Sequence, residues 1–398
     1  WFADTSLRDN VSIGASVPNT ASAFFEGFID EFAIWDRAFS AAQVYEIFRI
    51  QSHLYAGAFT SRIMDATTST SWSTLTWTPN RPVLKPLPDA AAVESGYTTG
   101  NADMTSSTLL YHLDEATGAT TFVEKSGVGK NMNCTGLGVN ECPTAGVNGV
   151  FGNAAEFTTT HSGGSYQRMR TTTFNPGGYD KLTVEAWVNM KTYLTTNADN
   201  SSHIIVKETG DYGDCTLISV FELRVSNNHV NTAASSKKKL GFAISTDTGR
   251  SGVNSANDVP LGQWVHVAGV WDGTTMQAYI NGVADGSSAS KSGTLITKSS
   301  ETNIGLRATC AGEYALQHLT AFNGFIDEVA VYNRALSATE ILDRYKRGTQ
   351  VMKFQARSCD DAACDGETFV GTDNTSSTYF SEVGLKDLTT PSSSLSGI

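Results

Sequence analysis

Apolar and polar residues alternate over many short stretches of this chain, and glycine, asparagine and aspartate separate the stretches. A period of two is typical of β-strands, because successive side chains point to opposite faces of a sheet. Asp272-Gly273 and Asn281-Gly282 fall between such stretches, and both pairs are typical of tight hairpin turns. Few stretches show helical periodicity. The pattern therefore predicts an all-β sandwich.

One strand is predicted residue by residue between Phe325 and Tyr332. Alternation places Phe325, Asp327, Val329 and Val331 on one face, and Ile326, Glu328, Ala330 and Tyr332 on the other. Both faces are largely apolar, so we expect the strand to be covered on both sides. Because Asp327 and Glu328 are adjacent, we expect their side chains to point to opposite faces.

A capped helix is predicted directly after this strand. Ser337 precedes Glu340 by three positions, which is the spacing of a capping box. Ile341 and Tyr345 follow at helical spacing. Gly348 is expected to end the helix.

The sequence pattern of this strand and helix occurs twice in the chain. Residues 24–44 repeat the pattern of residues 321–341 at an offset of 321 − 24 = 297 positions. An interval of that length is a domain rather than a solenoid repeat. We expect a window on a longer tandem array, with these parts: the end of a preceding domain at 1–49, a β linker module with a Pro-rich connector at 50–104, a complete domain at 105–348, and the start of a following linker at 349–398.

The repeated stretch resembles a known family. Residues 324–337, GFIDEVAVYNRALS, resemble the closing signature of laminin G-like jelly-roll domains in the concanavalin A-like lectin/glucanase superfamily. Three upstream segments resemble other strands of that family: residues 109–115, 182–188 and 263–273. The resemblance covers residues 105–348 in full and residues 1–49 as a tail. It implies an antiparallel jelly-roll β-sandwich (concanavalin A-like) with small β linker modules.

Charge and hydropathy exclude some functions. The formal net charge is −12, which argues against a nucleic-acid partner. The basic run at residues 237–239 is interpreted as a solvated hairpin tip. No apolar run approaches about 18 residues, so we expect no membrane insertion in this segment.

Six cysteines can pair in 15 ways, and their spacing narrows the choice. Cys134 and Cys142 bracket a glycine-containing loop, and Cys359 and Cys364 bracket a short acidic one. That leaves Cys215 with Cys310. None lies in a CxxC pair, so we expect three disulfides, no zinc or redox role, and an extracellular or cell-surface protein.

The superfamily includes glucanases, whose catalytic carboxylates follow a recognisable spacing in the sequence. Many of these enzymes carry an E-x-D-x-x-E spacing on one strand, because glycosidic cleavage needs paired carboxylates. No such spacing occurs here, and Glu185 has no carboxylate two or five positions later. Neither H-E-x-x-H nor G-x-S-x-G is present. We expect that the chain is not an enzyme.

Asp327 is the candidate metal ligand. The resemblance implies a structural calcium ion near the closing strand, and carboxylate and amide oxygens suit Ca²⁺. The candidate ligands are Asp327, Asn323 and Asp114. The alternative, given equal weight, is that Asp327 accepts backbone N–H bonds or caps a turn.

The loops joined by the expected Cys215–Cys310 bridge are the candidate ligand site. They carry Tyr212, Asp214, Arg307, Glu313 and Tyr314. Aromatic faces with planar polar groups are typical of sugar recognition. The alternative, which we favoured, is a surface loop stapled for stability.

These observations predict an adhesion or recognition module of a multi-domain surface protein, with glycans or surface proteins as partners. The alternative is a structural bead of a fibre, stalk or array with possible self-association and no glycan ligand. A lectin needs a convergent polar site, whereas a fibre subunit needs flat faces or open edge strands.

Overall fold

The structure is a computed structural model. It describes residues 15–16, 22–24, 60, 74–76, 80–135, 142–159, 166–194, 201–209, 219–226, 238–307, 321–349, 353–359, 366–371, 373–381 and 392–394. The chain divides into two compact units, Trp1–Arg62 and Ile63–Ile398. In the first unit, β1 (Ala15–Ser16) pairs with β2 (Ser22–Phe24). Within these ranges, no helix is long and apolar enough to cross a lipid bilayer.

The second unit is built on two large antiparallel sheets. The first sheet contains β4 (Ser107–Tyr111), β7 (Thr144–Asn148), β8 (Asn153–Phe157), β10 (Leu182–Met190), β15 (Val265–Trp271), β16 (Thr275–Ile280), β17 (Val283–Ala284), β18 (Ala289–Ser290) and β20 (Gly324–Tyr332). Its strand order is β17-β16-β15-β10-β20-β8-β7, with β4 also on β20 and β18 on β16.

The second sheet contains β5 (Thr121–Phe122), β6 (Met132–Asn133), β9 (Met169–Thr171), β11 (Ser201–Lys207), β12 (Phe221–Ser226), β13 (Lys239–Thr246), β14 (Gly249–Asp258) and β19 (Thr302–Ile304). Its order is β14-β13-β12-β11-β19-β9-β6-β5. Two small pairs complete the described strands: β3 (Thr74–Thr76) with β23 (Ser392–Ser394), and β21 (Lys353–Phe354) with β22 (Phe380–Ser381). The helix α1 is Ala338–Thr349.

The core lies between the two sheets. Val184 and Val267 of the first sheet pack in one buried cluster with Leu223 and Phe242 of the second. Gly269 allows this contact, because a side chain there would overlap the Phe242 ring. The predicted all-β sandwich is confirmed.

A β-bulge breaks the predicted alternation of β20. Ile326, Val329 and Val331 all pack into the core between the sheets, whereas Ala330 packs on the outer side. Ile326 and Val329 are three positions apart, so one extra residue lies between them. The strand is buried on both sides, as predicted.

The extra residue changes where two carboxylates point. The register with β10 shifts between Glu185 and Trp187, and Glu328 has φ of 49°, in the left-handed region that favours glycine. Asp327 pairs with Trp187 on the outer side, and Glu328 bonds to the outer-side backbone N–H of Leu87. The prediction of opposite faces is therefore wrong, because the bulge turns both side chains outward.

The predicted turns and cap are present. Asn281 and Gly282 both have positive φ, as a type I′ hairpin requires. The Glu340 N–H donates to Ser337 Oγ at 3.2 Å, and the Ser337 N–H donates to Glu340 Oε2 at 2.8 Å. This reciprocal pair is the predicted capping box.

Gly348 does not end α1, which continues to Thr349. A side chain at Gly348 would overlap the ring of Trp187 and approach Val150. The glycine therefore allows the helix to pack closely on the first sheet, and the predicted C-cap is wrong.

Residues 80–104 pack on the outer side of the first sheet. Leu87 and Met104 share a second hydrophobic cluster with Ala330 of β20 and Ile341 of α1. The stiff, extended connector predicted for the prolines is thus largely buried against the sandwich. The domain boundaries stay a prediction.

Candidate functional site

Most of the predicted ligand loops lie outside the described residues. Tyr212, Asp214, Glu313 and Tyr314 are among these undescribed positions. Arg307 is described and follows β19. The Arg307 charge lowers the pKa values of His203 and Arg224, so Arg307 lies near these two side chains on the outer face of the second sheet.

Cross-strand pairing builds one row of six side chains across that outer face. The row runs from β9 to β14 in the order Arg170, Asn303, Val206, Glu222, Ala243 and Gly252. Directly paired residues share a face of the sheet, so polar and small apolar positions are interleaved here. We call this set the long row. Arg170 and Gly252 at its two ends are partly exposed.

A second set of pairs lies beside it. The short row consists of His203, Arg224, Gly241 and Asn254 on β11 to β14. A Cβ at Gly241 would lie 3.1 Å from Asn254 Oδ1 and 3.4 Å from Arg224 Nε. The glycine therefore leaves room for the Arg224 and Asn254 side chains that flank it. Asn254 Oδ1 is buried and has no hydrogen-bond partner within the part of the chain that the structure describes.

Glu222 links the two rows. Its Oε1 accepts from Arg224 Nη1 at 2.8 Å and from Arg250 Nη2 at 2.9 Å. Its Oε2 accepts from Ser219 Oγ at 2.8 Å and lies 3.5 Å from His203 Nε2. One carboxylate is thus shared by two guanidinium groups.

Burial and charges of both signs act on the groups around Glu222. Burial lowers the pKa of His203 to about 4, with Arg307 and Arg224 acting in the same direction against Glu222. Burial likewise lowers the pKa of Arg224 to about 10, and Arg250 and Arg307 add to that effect. His203 is therefore neutral at neutral pH.

At the β9 end of the long row, a second carboxylate, Glu301, is shared by two arginines. Arg168 Nη1 donates to Glu301 Oε2 at 2.9 Å and to Asn303 Oδ1 at 3.1 Å. Arg170 Nη1 also bonds to Glu301. Arg168 Nε and Asn303 Nδ2 are buried without a hydrogen-bond partner.

The structure does not bring the three predicted calcium ligands together. Asp327 Oδ2 accepts the N–H groups of Val150 at 2.7 Å and Phe151 at 3.2 Å, as the alternative interpretation expected. Asn323 lies four strand positions away, about 13 Å along the chain, too far to share an ion with Asp327. Its Nδ2 bonds to Thr192 Oγ1 at 2.6 Å.

Asp114 lies nearer to Asp327. Its carbonyl oxygen accepts from Asn153 Nδ2, and Asn153 begins β8 directly after the turn whose N–H groups bond to Asp327. Among the described residues, no group of three or more His, Cys, Asp or Glu is placed to hold a metal ion. Asp327 Oδ1 is buried without a partner, and burial together with Glu328 raises the pKa of Asp327 well above its usual value. Calcium stays a prediction.

Glu328 takes part in a separate polar cluster on the outer side of the first sheet. His112 Nδ1 lies 2.7 Å from Glu328 Oε1, and His112 Nε2 lies 2.8 Å from Asp89 Oδ1. Burial alone would lower the pKa of His112, but the two carboxylates raise it to about 10. The charged imidazolium therefore fastens residues 80–104 to the bulge.

Arg347 of α1 strengthens the same attachment. Its Nη1 and Nη2 donate to Glu94 at 2.8 and 2.9 Å, and its guanidinium also bonds to the carbonyls of Lys85 and Pro86. Lys85 Nζ lies 2.9 Å from Glu94 Oε1. Although burial opposes it, these cations lower the pKa of Glu94 to about 2.

Glu185, the carboxylate considered for catalysis, is also fully paired. Its Oε1 accepts from Tyr332 Oη at 2.7 Å, and its Oε2 lies 3.2 Å from His266 Nε2. Arg344 Nε lies 3.6 Å away. Glu185 is buried under α1, where these partners lower its pKa against the effect of burial.

The Cys134–Cys142 disulfide is present, as predicted. Cys359 is disulfide-bonded as well. Cys215, Cys310 and Cys364 lie outside the described residues. The two pairings that involve them stay predictions.

Sequence reasoning found Arg307 beside the two rows but none of the residues that form them. One signal was available: in Phe221-Glu222-Leu223-Arg224, the apolar residues face the core and both charges face outward. Nothing local to that stretch indicates that Glu222 meets Arg250. That contact requires the register of three strands.

Residues 161–342 match the family model described as the concanavalin A-like lectin/glucanases superfamily. The match, together with the two antiparallel sheets, confirms the resemblance and the fold class. The tandem array stays a prediction. No curated protein sequence matches the chain significantly.

Solved structures with some likeness include domain 4 of AbnA, a GH43 extracellular arabinanase from Geobacillus stearothermophilus, in complex with arabinotriose. It is 18% identical, with a TM-score of 0.41, over 60% of this chain and 97% of that one. The botulinum neurotoxin serotype G binding domain is 13% identical, with a TM-score of 0.40, over 60% of this chain and 50% of that one. A heptameric SAP-like pentraxin from Limulus polyphemus is 15% identical, with a TM-score of 0.34, over 58% of this chain and 94% of that one. This chain thus spans half of the neurotoxin domain.

Proposed function

Because residues 161–342 match the concanavalin A-like lectin/glucanases superfamily, we propose that this domain is a glycan-binding module of an extracellular protein. The observation that carries the proposal is the long row. Planar polar groups suit sugar hydroxyls, and Arg170 at one end of the row and Asn254, beside Gly252 at the other end, are partly exposed. The Cys134–Cys142 disulfide supports the extracellular assignment, since disulfides persist in oxidising compartments.

Asn254 provides a specific test of this proposal. Its side chain is partly exposed, and its Oδ1 is buried with no hydrogen-bond partner among the described residues. Removing the amide therefore costs folding little, whereas a sugar hydroxyl bonded to it would lose a partner. We expect the whole chain to bind a defined sugar class on a glycan array, and Asn254→Ala to weaken that binding about tenfold. Asn333→Ala, at an exposed site on the other side of the sandwich, is the matched control.

Two outcomes contradict the proposal. A folded protein that binds no glycan on the array has no lectin-like function. Equal losses for Asn254→Ala and Asn333→Ala would move the site away from the short row. Thermal melts of both variants check that the fold is intact.

A structural role is the second candidate, and β14 favours it. This ten-residue strand lies at the edge of the second sheet, where backbone groups can pair with another chain. Asp285 Oδ1 occupies the N–H groups of Ala256 and Asn257 at one end of the strand. Sedimentation that is independent of concentration would contradict self-pairing at this edge.

A further inference from the structure

Two aromatic rings lie side by side on the outer side of the first sheet, beyond the part that α1 covers. Under the helix, the ring of Trp187 stacks on Tyr345 of α1 with 5.9 Å between centroids. The next outward residue of β10 is Asn189, and it pairs with Phe325 of β20. The rings of Phe325 and Trp264 are 6.2 Å apart and tilted by 49°, and both residues are partly exposed. We call this pair the aromatic corner.

The aromatic corner is not part of the core. Neither ring belongs to a hydrophobic cluster of the described residues, whereas the neighbouring Val188 and Ile326 point inward and are completely buried. A single exposed apolar side chain is normal on a protein surface. Two adjacent aromatic rings that keep contact with water are typical of a binding surface, because their burial is then available to a ligand.

Partly exposed polar side chains border the aromatic corner in the same row of the sheet. Phe325 pairs with Asn189 on one side and with Glu156 on the other, and Glu156 pairs with the exposed Thr144 of the edge strand β7. Lys191 Nζ lies 4.6 Å from the centroid of the Phe325 ring and bonds to Glu156. Among the described contacts, the Asn189 amide makes no hydrogen bond.

This arrangement favours one class of ligand. The Lys191 ammonium and the Glu156 carboxylate compensate each other, so an uncharged ligand matches the site. Because Lys191 lies over Phe325, the ring that stays open is Trp264. A sugar ring offers an apolar C–H face to an aromatic ring and hydroxyls around its edge to polar groups. The second ring and its lysine form a wall beside the first, at the angle between the two rings.

We propose that the aromatic corner binds a neutral polysaccharide, with the apolar face of one sugar unit on Trp264. Asn189, Lys191 and Glu156 then bind the hydroxyls of that unit. The site is separate from the two rows of the second sheet, since it lies on the opposite outer side of the sandwich. The inference rests on the proposed glycan-binding function, to which it adds a second site and a ligand class.

The experiment uses the whole chain and soluble, uncharged hexasaccharides: cellohexaose, xylohexaose, mannohexaose and maltohexaose. Calorimetric titration should show saturable binding of at least one of them. Its affinity should change less than about twofold between about 50 and about 500 mM salt, because the ligand has no charge to screen. Oxidative footprinting read by peptide mass spectrometry should show that the bound sugar protects Trp264. Tyr379, which is 43% exposed elsewhere, should stay as reactive as before.

Three substitutions locate the site. Trp264→Leu keeps an apolar side chain but loses the flat ring, and it should weaken binding about tenfold. Trp264→Phe restores an aromatic face and should recover most of that loss. Asn189→Ala should weaken binding about fivefold through a lost hydrogen bond. The control is Phe369→Leu, since Phe369 is also a partly exposed ring with a cation over it, Arg357 at 4.6 Å, and this change should have no effect.

The outcomes separate this inference from the proposed function. Glycan binding that Asn254→Ala weakens and Trp264→Leu leaves unchanged overturns the inference, and the glycan-binding function stands. Binding confined to charged sugars, or binding of a neutral hexasaccharide without protection of Trp264, has the same consequence. No binding to any glycan removes both. A loss in Trp264→Leu that Trp264→Phe restores, with unchanged thermal melts, supports the site in a way that misfolding cannot imitate.

Discussion

His112 and His203 are both buried, one on each outer face of the sandwich, and their pKa values are displaced in opposite directions. His112 lies between Glu328 and Asp89, which raise its pKa to about 10 although burial opposes this. His203 lies among Arg224 and Arg307, and burial with their charge lowers its pKa to about 4. The same residue type therefore reports anionic partners that outweigh burial on the first sheet, and burial that outweighs the one anionic partner, Glu222, on the second.

The difference has a structural cause. The first sheet is covered by α1 and residues 80–104, and the polar groups between these layers are matched cation to anion, as Arg347 with Glu94 shows. Such a network fixes how the layers attach. The second sheet carries arginines that share two glutamates, and its rows reach solvent at Arg170 and Gly252. A matched network under a covering layer suits a structural role, whereas polar rows that reach solvent at their ends can meet a ligand there.

The largest expected effect comes from Arg347→Ala. Removing this buried guanidinium leaves Glu94 with less compensation and two carbonyls without donors, so we expect a loss of about 3–5 kcal/mol in the free energy of unfolding. Arg170→Ala on the other face should cost less than about 1 kcal/mol, because that ion pair is partly exposed. Urea unfolding of both variants measures the contrast. Equal losses would show that the two faces do not differ in the way proposed.

Local parts of the fold could be predicted from the sequence. The strand around Val329, the capping box of Ser337 with Glu340 and the hairpin at Asn281-Gly282 depend on neighbours within four positions. Their signals are therefore contained in short stretches. The bulge at Glu328 was missed, because glutamate gives no sign of a positive φ and only the surrounding contacts hold it there.

The candidate site was largely missed for a different reason. Asn303, Val206 and Glu222 come from three strands that are far apart in the sequence, and only the register of the sheet aligns them. Asp327 was singled out correctly as a buried carboxylate. Its partners, the N–H groups of Val150 and Phe151, come from a loop about 180 positions away and leave no local signal.

The second prediction uses pH to separate the two faces. Unfolded His203 takes up a proton near pH 6.5, whereas folded His203 does so only near pH 4. The folded state binds fewer protons in this window, so stability should fall as the pH drops from 6.5 to 4, by at most about 3 kcal/mol. In His203→Gln this part of the loss should disappear. Asp327, whose raised pKa acts in the opposite direction, is present in both proteins and cancels in the difference.

His112 should give the mirror image. Its folded pKa is raised, so its contribution is fully present below pH 6.5 and is lost as the pH rises through about 10. His112→Gln should therefore flatten the alkaline limb of the stability profile and leave the acid limb unchanged. Urea midpoints measured across both limbs test the pair. An acid limb that depends on His112, or an alkaline limb that depends on His203, would reverse the assignment of charge to the two faces.

The smallest expected effect concerns the helix that seals the first face. Ser337→Ala removes the hydroxyl that accepts the Glu340 N–H, so α1 should lose about 1 kcal/mol at its first turn. Amide exchange should then quicken in α1 and in residues 80–104, because Arg347 attaches that segment to the helix. Exchange in β12 and β13, and binding of glycan, should not change. Faster exchange in those strands would mean that the two faces are coupled through the core, and that the recognition surface depends on the structural one.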